Sequence, residues 1–298
     1  MDRETLVNRY DSPSSQDNYR KAFNKFDLFL AHIGMDELKF IESLNQFTKG
    51  QRYELLQKLI DFLNVAVSPR TCRDYFDRLF KYFLLSDCPL DYTQKKLLLK
   101  FPRIIQRRLE GLDRDMIIKE LTLCSENFGI YLRTLAGSGM RETEGLKLEP
   151  RMIHFEEYPV RLDLPQEITK FNIPRESFLP SNTAKLLQGL IESKEIKENQ
   201  TIFIEKWNEK SLIDFEKYYA RLRIKAEFET EDRKKHQQND ITLHSHRAFY
   251  LTTLTHNNLE SFGHATAGHS KDLSVYFRTS LKVRQEKYAS IMRLLDFD

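Results

Sequence analysis

The sequence is poor in cysteine, and its few cysteines are spaced too widely for a redox or metal-binding motif. Cys72, Cys88 and Cys124 form no Cys-x-x-Cys pair, which excludes a zinc ribbon and a disulfide-stabilised secreted domain. The sequence also lacks a run of about 18 apolar residues, the length that a membrane helix requires, and an apolar signal segment near its N-terminus. We therefore expect a soluble, cytoplasmic protein whose cysteines are free, buried thiols.

The sequence also lacks a strong excess of either positive or negative charge. The 298 residues carry a formal net charge of only +3, which permits a nucleic-acid partner without requiring one. The charge is unevenly distributed, because residues 1–111 hold 19 lysines and arginines against 15 aspartates and glutamates. A basic surface is therefore expected in the first part of the chain, and any in the remainder must be local.

The chain length predicts two domains, and residues 1–111 have the pattern of a helical one. Ser12-Pro13 and Ser68-Pro69 are helix start signals, and apolar residues follow each at three- and four-residue spacing. Basic residues lie outside these apolar stripes and crowd the predicted linker before residue 112. They form either a solvated face or a DNA-binding surface. The DNA-binding candidates are Arg70, Arg73, Lys95, Lys96, Arg103, Arg107 and Arg108.

Residues 112–298 predict a second, mostly helical domain, which begins with a helix capped by Asp113. Its second helix ends at Gly137-Ser138-Gly139, a tight turn from which Arg141 can project. Glu144, three residues further on, is expected to be a structural partner of Arg141 or of a backbone donor.

After this turn the hydrophobic period changes from that of helices to that of strands. Residues 152–155 and 160–164 predict two short strands, and residues 167–179 predict a further hairpin with Lys170 at its tip. The chain becomes helical again from Asn182 onwards, so the fold class is mainly α with a small antiparallel sheet.

The segment from Ile241 to Tyr250 places two histidines and an arginine within one helical turn. His244 and Arg247 are three residues apart, which puts both side chains on one helix face. A guanidinium suits two oxygens of a phosphate, and a neighbouring imidazole can move a proton at the same centre. A basic helix end that only holds backbone carbonyls has the same pattern. No carboxylate or cysteine stands at ligand spacing beside the histidines, so we expect no metal and no cofactor.

Two further motifs follow, Gly268-His269-Ser270 and Tyr276. The order of Arg141, His244-x-x-Arg247, Gly268-His269 and Tyr276 resembles the catalytic domain of the tyrosine recombinases, the phage and archaeal integrase family. The sequence around Thr169-Lys170 resembles that of archaeal members of the family, in which the lysine of this pair is catalytic. The resemblance implies a DNA-clamping, core-binding domain over residues 1–111 and a catalytic domain over residues 112–298.

The resemblance implies a role for each motif in breaking a DNA strand. Arg141 and Arg247 would stabilise the charge on the phosphate, and Lys170 would protonate the departing 5′-oxygen. His244 would act as a base or hold the phosphate, and His269 would donate a further hydrogen bond to it. Tyr276 would be the nucleophile.

The tyrosine is the one motif that departs from the family pattern. Tyr276 follows His269 by seven residues, whereas nine is common in the family. Tyr288 is therefore the alternative nucleophile.

The implied function is site-specific recombination of double-stranded DNA through a 3′-phosphotyrosyl intermediate, performed by a tetramer on DNA in the cytoplasm, in association with the nucleoid. Two alternatives have similar sequence features. A type IB topoisomerase uses a similar set of residues to relax DNA as a monomer, and a catalytically inactive relative would only bind DNA.

Overall fold

The computed structural model describes residues 1–104, 111–170, 172–228, 241–268 and 279–297. The chain divides into two compact units, Met1–Arg107 and Arg108–Asp298, whereas the sequence places the boundary at residues 111 and 112. The described residues are mainly helical with one small antiparallel sheet, as the sequence predicts. Among them, no helix combines the length and the apolar character needed to span a membrane.

The first unit is built from helices in the part that the structure describes. Asp36 and Thr48 each cap a helix with their side chains, and the predicted Ser12-Pro13 and Ser68-Pro69 starts are both present. Helix α2 ends at Gly34, which adopts the left-handed conformation typical of this position. The helices are α1 (Arg3–Val7), α2 (Pro13–Ile33), α3 (Glu37–Gln46), α4 (Lys49–Ala66), α5 (Pro69–Leu85) and α6 (Tyr92–Leu98).

The core of the first unit is rich in aromatic side chains. The predicted stripe on α5 is confirmed, since Cys72, Phe76 and Phe83 are fully buried. Phe26 and Phe83 meet edge to face with ring centroids 5.3 Å apart, a geometry that aromatic pairs prefer. The arginines of α5 are thereby confined to its outer face.

The second unit places helices around the sheet. Asp113 accepts a hydrogen bond from the backbone of Met116 at 2.8 Å, which confirms the predicted cap. The helices are α7 (Arg114–Leu123), α8 (Glu126–Ser138), α9 (Glu142–Leu146), α10 (Ser181–Ser193), α11 (Glu209–Lys225), α12 (His244–His256), α13 (Glu260–Ala267) and α14 (Leu281–Leu295).

The sheet has three antiparallel strands in the order β1 (Ile153–His154), β2 (Val160–Leu164) and β3 (Arg175–Leu179). Leu162 of β2 pairs with Ile153 on one side and with Ser177 on the other. The hairpin predicted over residues 167–179 is wrong in its first half, because Arg175–Leu179 forms a strand but the described part of residues 167–172 forms turns. Residues 165–174 therefore connect β2 to β3, and Lys170 lies in this connection.

Two apolar clusters hold the second unit together. The larger one surrounds α8, where Tyr131, Leu132 and Leu135 are almost completely buried. The smaller one joins β3 to α12, α13 and α14 through buried residues such as Phe178, Tyr250 and Tyr288. The three cysteines of the chain are unpaired, and burial raises the pKa of each thiol to about 11.

Candidate active site

Arg141 lies just after a turn that requires glycine. Helix α8 ends at Gly139, whose φ of 66° is left-handed. A Cβ atom at Gly139 would lie 2.3 Å from Cδ1 of Tyr250, so conformation and packing both exclude a side chain. Ser177 Oγ donates to the carbonyl of Ser138 at 2.6 Å and ties the turn to β3. Arg141 then becomes the N-cap residue of α9.

Glu144 is a fully buried carboxylate that holds two arginines. It accepts from the backbone N–H of Arg141 at 2.8 Å and from Nη1 of Arg141 at 2.9 Å. Arg175 donates to both of its oxygens, at 3.1 and 2.5 Å. Burial alone would raise the pKa of Glu144, but the bonds from Arg175 and Arg141 outweigh it and lower the pKa below its ordinary value. The predicted supporting role of Glu144 is confirmed.

Arg247 on α12 joins the same cluster from the opposite side of the turn. Its Nη1 donates to the carbonyl oxygens of Gly139 and Ala267, at 2.7 and 2.6 Å, and the residue is only 2% exposed. Burial lowers the pKa of Arg247 to about 10, and the nearby charges of Arg141 and Arg175 contribute to this shift. Crowded guanidinium groups of this kind would be stabilised by an anion.

His244 stands at the exposed edge of the arginine cluster. It is the first residue of α12, and 59% of its side chain is exposed. Its Nδ1 lies 3.5 Å from Oε2 of Glu142, the residue directly after Arg141. Arg141, His244 and Arg247, three of the predicted site residues, are therefore brought together from two distant parts of the chain.

Of the other three predicted catalytic residues, the structure describes only Lys170. Lys170 is exposed, and it follows Thr169, whose backbone N–H and hydroxyl both contact the carbonyl of Gln166. His269 and Tyr276 lie outside the described residues. The described chain reaches Gly268, where an added Cβ would lie 3.0 Å from Cδ of Arg175, so this end of α13 borders the cluster.

Tyr288 occupies a position that argues against its role as the alternative nucleophile. It is fully buried in the smaller apolar cluster, and its hydroxyl donates to the carbonyl of Gly137 at 2.7 Å. Burial raises the pKa of this phenol well above its ordinary value, which opposes formation of the phenolate. We therefore correct the prediction that Tyr288 is a candidate, because it is a packing residue.

The candidate DNA-binding residues predicted within residues 1–111 fall into three groups. Arg70, Arg73, Lys96 and Arg103 are exposed. The prediction is corrected for Lys95, because its ammonium is paired with Asp77 and lies 4.9 Å from the ring centroid of Phe80. Arg107 and Arg108 lie outside the described residues.

One group among the described residues has the composition of a metal site. His154 is the last residue of β1 and Glu156 and Glu157 follow it, and their ligand atoms lie within 4.8 Å of one another. Both oxygens of Glu157 are already held by Nε of Arg161, at 3.0 and 2.9 Å. This carboxylate is thus engaged in an ion pair.

A buried polar network behind α12 was not predicted from the sequence. His246 is fully buried, and its Nε2 lies 2.9 Å from Oε2 of Glu120 on α7. The hydroxyl of Tyr219 on α11 donates to the other oxygen of Glu120. The network joins α7, α11 and α12 at His246, the residue directly before Arg247. A glutamate within the apolar face of α7 was the only sequence signal for it.

We expect His246→Leu to reduce the free energy of unfolding of the second unit by about 3–5 kcal/mol, because Glu120 loses its buried partner. The chain has a single tryptophan, Trp207, which packs against the larger core of this unit. Its fluorescence during urea unfolding therefore reports on the second unit.

A second variant separates the lost pairing from lost packing. Glu120→Met combined with His246→Leu should recover most of the stability, since apolar replacement of a buried pair is often neutral. The control His256→Leu, at an exposed position of the same helix, should change stability by less than about 0.5 kcal/mol. Equal stability of His246→Leu and the wild type would contradict the expected role of the network.

Comparisons with known proteins give no sequence match. No protein-family model matches the chain, and no curated protein does so. Solved structures do match. A XerH site-specific recombinase bound to its difH substrate aligns with a TM-score of 0.60 and 16% identity, over 97% of this chain and 83% of the other.

Two further solved structures support the same assignment of fold. A lambda integrase dimer bound to a COC′ core site has a TM-score of 0.60 and 12% identity, over 94% of this chain and 96% of the other. The Tn1549 transposon integrase in complex with transposon right-end DNA has a TM-score of 0.55 and 14% identity, over 82% and 85%. At such low identity, the similarity establishes a shared fold.

Proposed function

We propose that this chain, which has the fold of the tyrosine recombinases, is a site-specific DNA recombinase that acts through a 3′-phosphotyrosyl intermediate. The observation that carries the proposal is the cluster of Arg141, Arg247 and His244, in which the buried carboxylate of Glu144 holds Arg141 and backbone carbonyls hold Arg247. The solved structures of similar fold include DNA-bound recombinases and integrases, which supports duplex DNA as the partner.

Each residue has a defined task in this reaction. Arg141 and Arg247 stabilise the negative charge that develops on the phosphate. Tyr276 attacks the phosphorus and forms the covalent bond, while the 5′-oxygen leaves with a proton from Lys170. His244 either accepts the tyrosine proton or holds the phosphate, and His269 donates a further hydrogen bond. The bond energy is conserved in the phosphotyrosine, so rejoining requires neither ATP nor a metal.

Strand exchange between two duplexes requires four cleaved strands, so we propose that a tetramer assembles on DNA and that the protein is associated with the nucleoid. The decisive experiment traps the protein on a nicked suicide substrate, built from a site selected out of random duplexes. A covalent complex whose attached peptide contains Tyr276 is expected. Plasmid relaxation by a monomer without recombinant products would indicate a topoisomerase, and binding without any adduct an inactive relative.

We expect DNA binding by the first unit to weaken steeply with salt. If about six phosphates are neutralised, log K should fall against log salt with a slope near −5. Replacing Arg70, Arg73 and Arg103 together by alanine should make the slope shallower by about 3 and weaken binding to all sequences alike. Titrations of labelled duplex at several salt concentrations measure both quantities.

Lys95 provides a matched control for this prediction. Its charge is already paired with Asp77, so Lys95→Ala should leave the slope unchanged. A slope of log K against log salt near zero for the folded wild-type protein would contradict the DNA-clamping role of the first unit.

We expect a substrate with a better leaving group to rescue the cleavage defect of Lys170→Ala. A substrate whose bridging 5′-oxygen is replaced by sulfur has a leaving group that needs no proton, so it should restore cleavage to this variant. It should not restore cleavage to Arg141→Ala or Arg247→Ala, which lack charge stabilisation instead. Single-turnover cleavage assays measure the rescue, and equal failure of all three variants would reject Lys170 as the acid.

A further inference from the structure

We propose that Glu142 is a positioning residue, which holds the ring of His244 with Nδ1 towards the protein and Nε2 towards the phosphate. This inference rests on the proposed function and adds to it a residue that orients His244. The contact that carries it is the 3.5 Å separation between Oε2 of Glu142 and Nδ1 of His244. Such contacts are often long in the absence of substrate and shorten in its presence.

Glu142 is itself held in place. It is the first residue of α9, directly after Arg141, and its backbone carbonyl accepts a hydrogen bond from the buried hydroxyl of Tyr131 at 2.9 Å. Only 25% of its side chain is exposed, against 59% for His244. A partly buried carboxylate on a fixed backbone position therefore faces a ring that would otherwise rotate in solvent, and a hydrogen bond between them selects one ring orientation.

The charges around Glu142 also support its role in orienting His244. A carboxylate beside phosphate-binding arginines opposes the binding of an anion, so a contribution to anion binding does not account for Glu142. Burial alone would raise the pKa of Glu142, but the hydrogen bond with His244 and the charges of His244 and Arg247 outweigh burial and lower it. The carboxylate is thus ionised and acts as an acceptor, which matches Nδ1–H of the ring.

The consequence is a defined tautomer. A neutral imidazole has one N–H, and its donation from Nδ1 to Glu142 leaves a lone pair on Nε2. That nitrogen can accept the proton of the attacking tyrosine, whereas a protonated ring can donate to the phosphate. Glu142 thereby prepares His244 for either of its two proposed tasks without touching the DNA.

Two readouts test this inference on the full chain. The tautomer of His244 is read from ring-nitrogen NMR of ¹⁵N-histidine-labelled protein at about pH 8.5, where histidines of ordinary pKa are neutral; His244→Gln identifies its signals. Wild-type protein should show Nδ1–H, and Glu142→Ala should lose this preference. Glu142→Gln keeps an oxygen acceptor and should preserve it.

Cleavage should follow the tautomer. In single-turnover assays Glu142→Ala should cleave roughly tenfold to a hundredfold more slowly with little change in DNA affinity, and Glu142→Gln should recover most of the rate. The control is Glu216→Ala, which removes a nearby carboxylate whose pKa is raised by burial and by the charge of Glu142, and which should leave both readouts unchanged.

The outcomes separate this inference from the proposed function. An unchanged His244 tautomer in Glu142→Ala would overturn the role of Glu142, even if the wild-type protein cleaves DNA. Conversely, absence of a covalent complex in the wild type would reject the recombinase proposal, while the NMR comparison would still decide whether Glu142 orients the ring.

Discussion

Arg141→Ala is expected to slow strand cleavage about a hundredfold to a thousandfold, because one donor to the developing charge on the phosphate typically contributes about 2.7–4 kcal/mol. Arg247→Ala should have an effect of the same size. DNA affinity should stay within roughly an order of magnitude, since many other phosphate contacts remain. Single-turnover cleavage of a suicide substrate and binding titrations measure the two quantities.

The two arginine variants differ in their expected effect on folding. Glu144 keeps its two bonds from Arg175 when Arg141 is removed, so Arg141→Ala should unfold like the wild type. Arg247→Ala leaves the carbonyls of Gly139 and Ala267 without this donor, so a loss of about 1–3 kcal/mol in stability is expected as well. Trp207 fluorescence during urea unfolding separates this loss from the loss of activity.

A surface arginine serves as the control. Arg151 lies in the same unit with 53% of its side chain exposed and pairs with Glu149, so Arg151→Ala should cleave at the wild-type rate. Cleavage by Arg141→Ala within threefold of that rate would contradict the assignment of Arg141 to the phosphate.

Tyr276→Phe is expected to abolish the covalent protein–DNA adduct, because the phenylalanine ring has no oxygen to attack phosphorus. The variant should still bind DNA and fold. Gel analysis of the trapped complex under denaturing conditions measures the adduct.

Tyr288→Phe is the matched control, since it removes the same atom from a buried position. Its hydroxyl bonds to the carbonyl of Gly137, so the variant should keep the adduct and lose about 1 kcal/mol of stability. Loss of the adduct in Tyr288→Phe together with its retention in Tyr276→Phe would reverse the assignment and contradict the buried position of Tyr288.

Local interactions made much of the architecture predictable from the sequence. The starts of α2 and α5, the cap at Asp113 and the glycine turn before Arg141 all depend on residues within a few positions of one another. The apolar stripe of α5 follows from helical spacing in the same way. The three-residue spacing of His244 and Arg247 likewise predicted that a single helix carries both residues.

One prediction from a local sequence pattern was wrong, for a physical reason. The sequence predicts the first strand of a hairpin over residues 167–172, but their described part forms turns between β2 and β3, since strand formation depends on the availability of a pairing partner. The pairing of Lys95 with Asp77 is a second case. These residues are 18 positions apart, and only the packing of α6 on α5 decides that this lysine is withheld from solvent.

What the sequence determined by itself was therefore the mainly helical fold class, several helix starts and the candidate groups of the site. The tertiary structure decided which groups meet. Glu120 and His246 are 126 positions apart, Glu142 and His244 are 102 apart, and Glu144 and Arg175 are 31 apart. Caps and periodicity act through short stretches of chain, whereas these pairings exist only because folding buries distant polar groups, which must find partners once water is excluded.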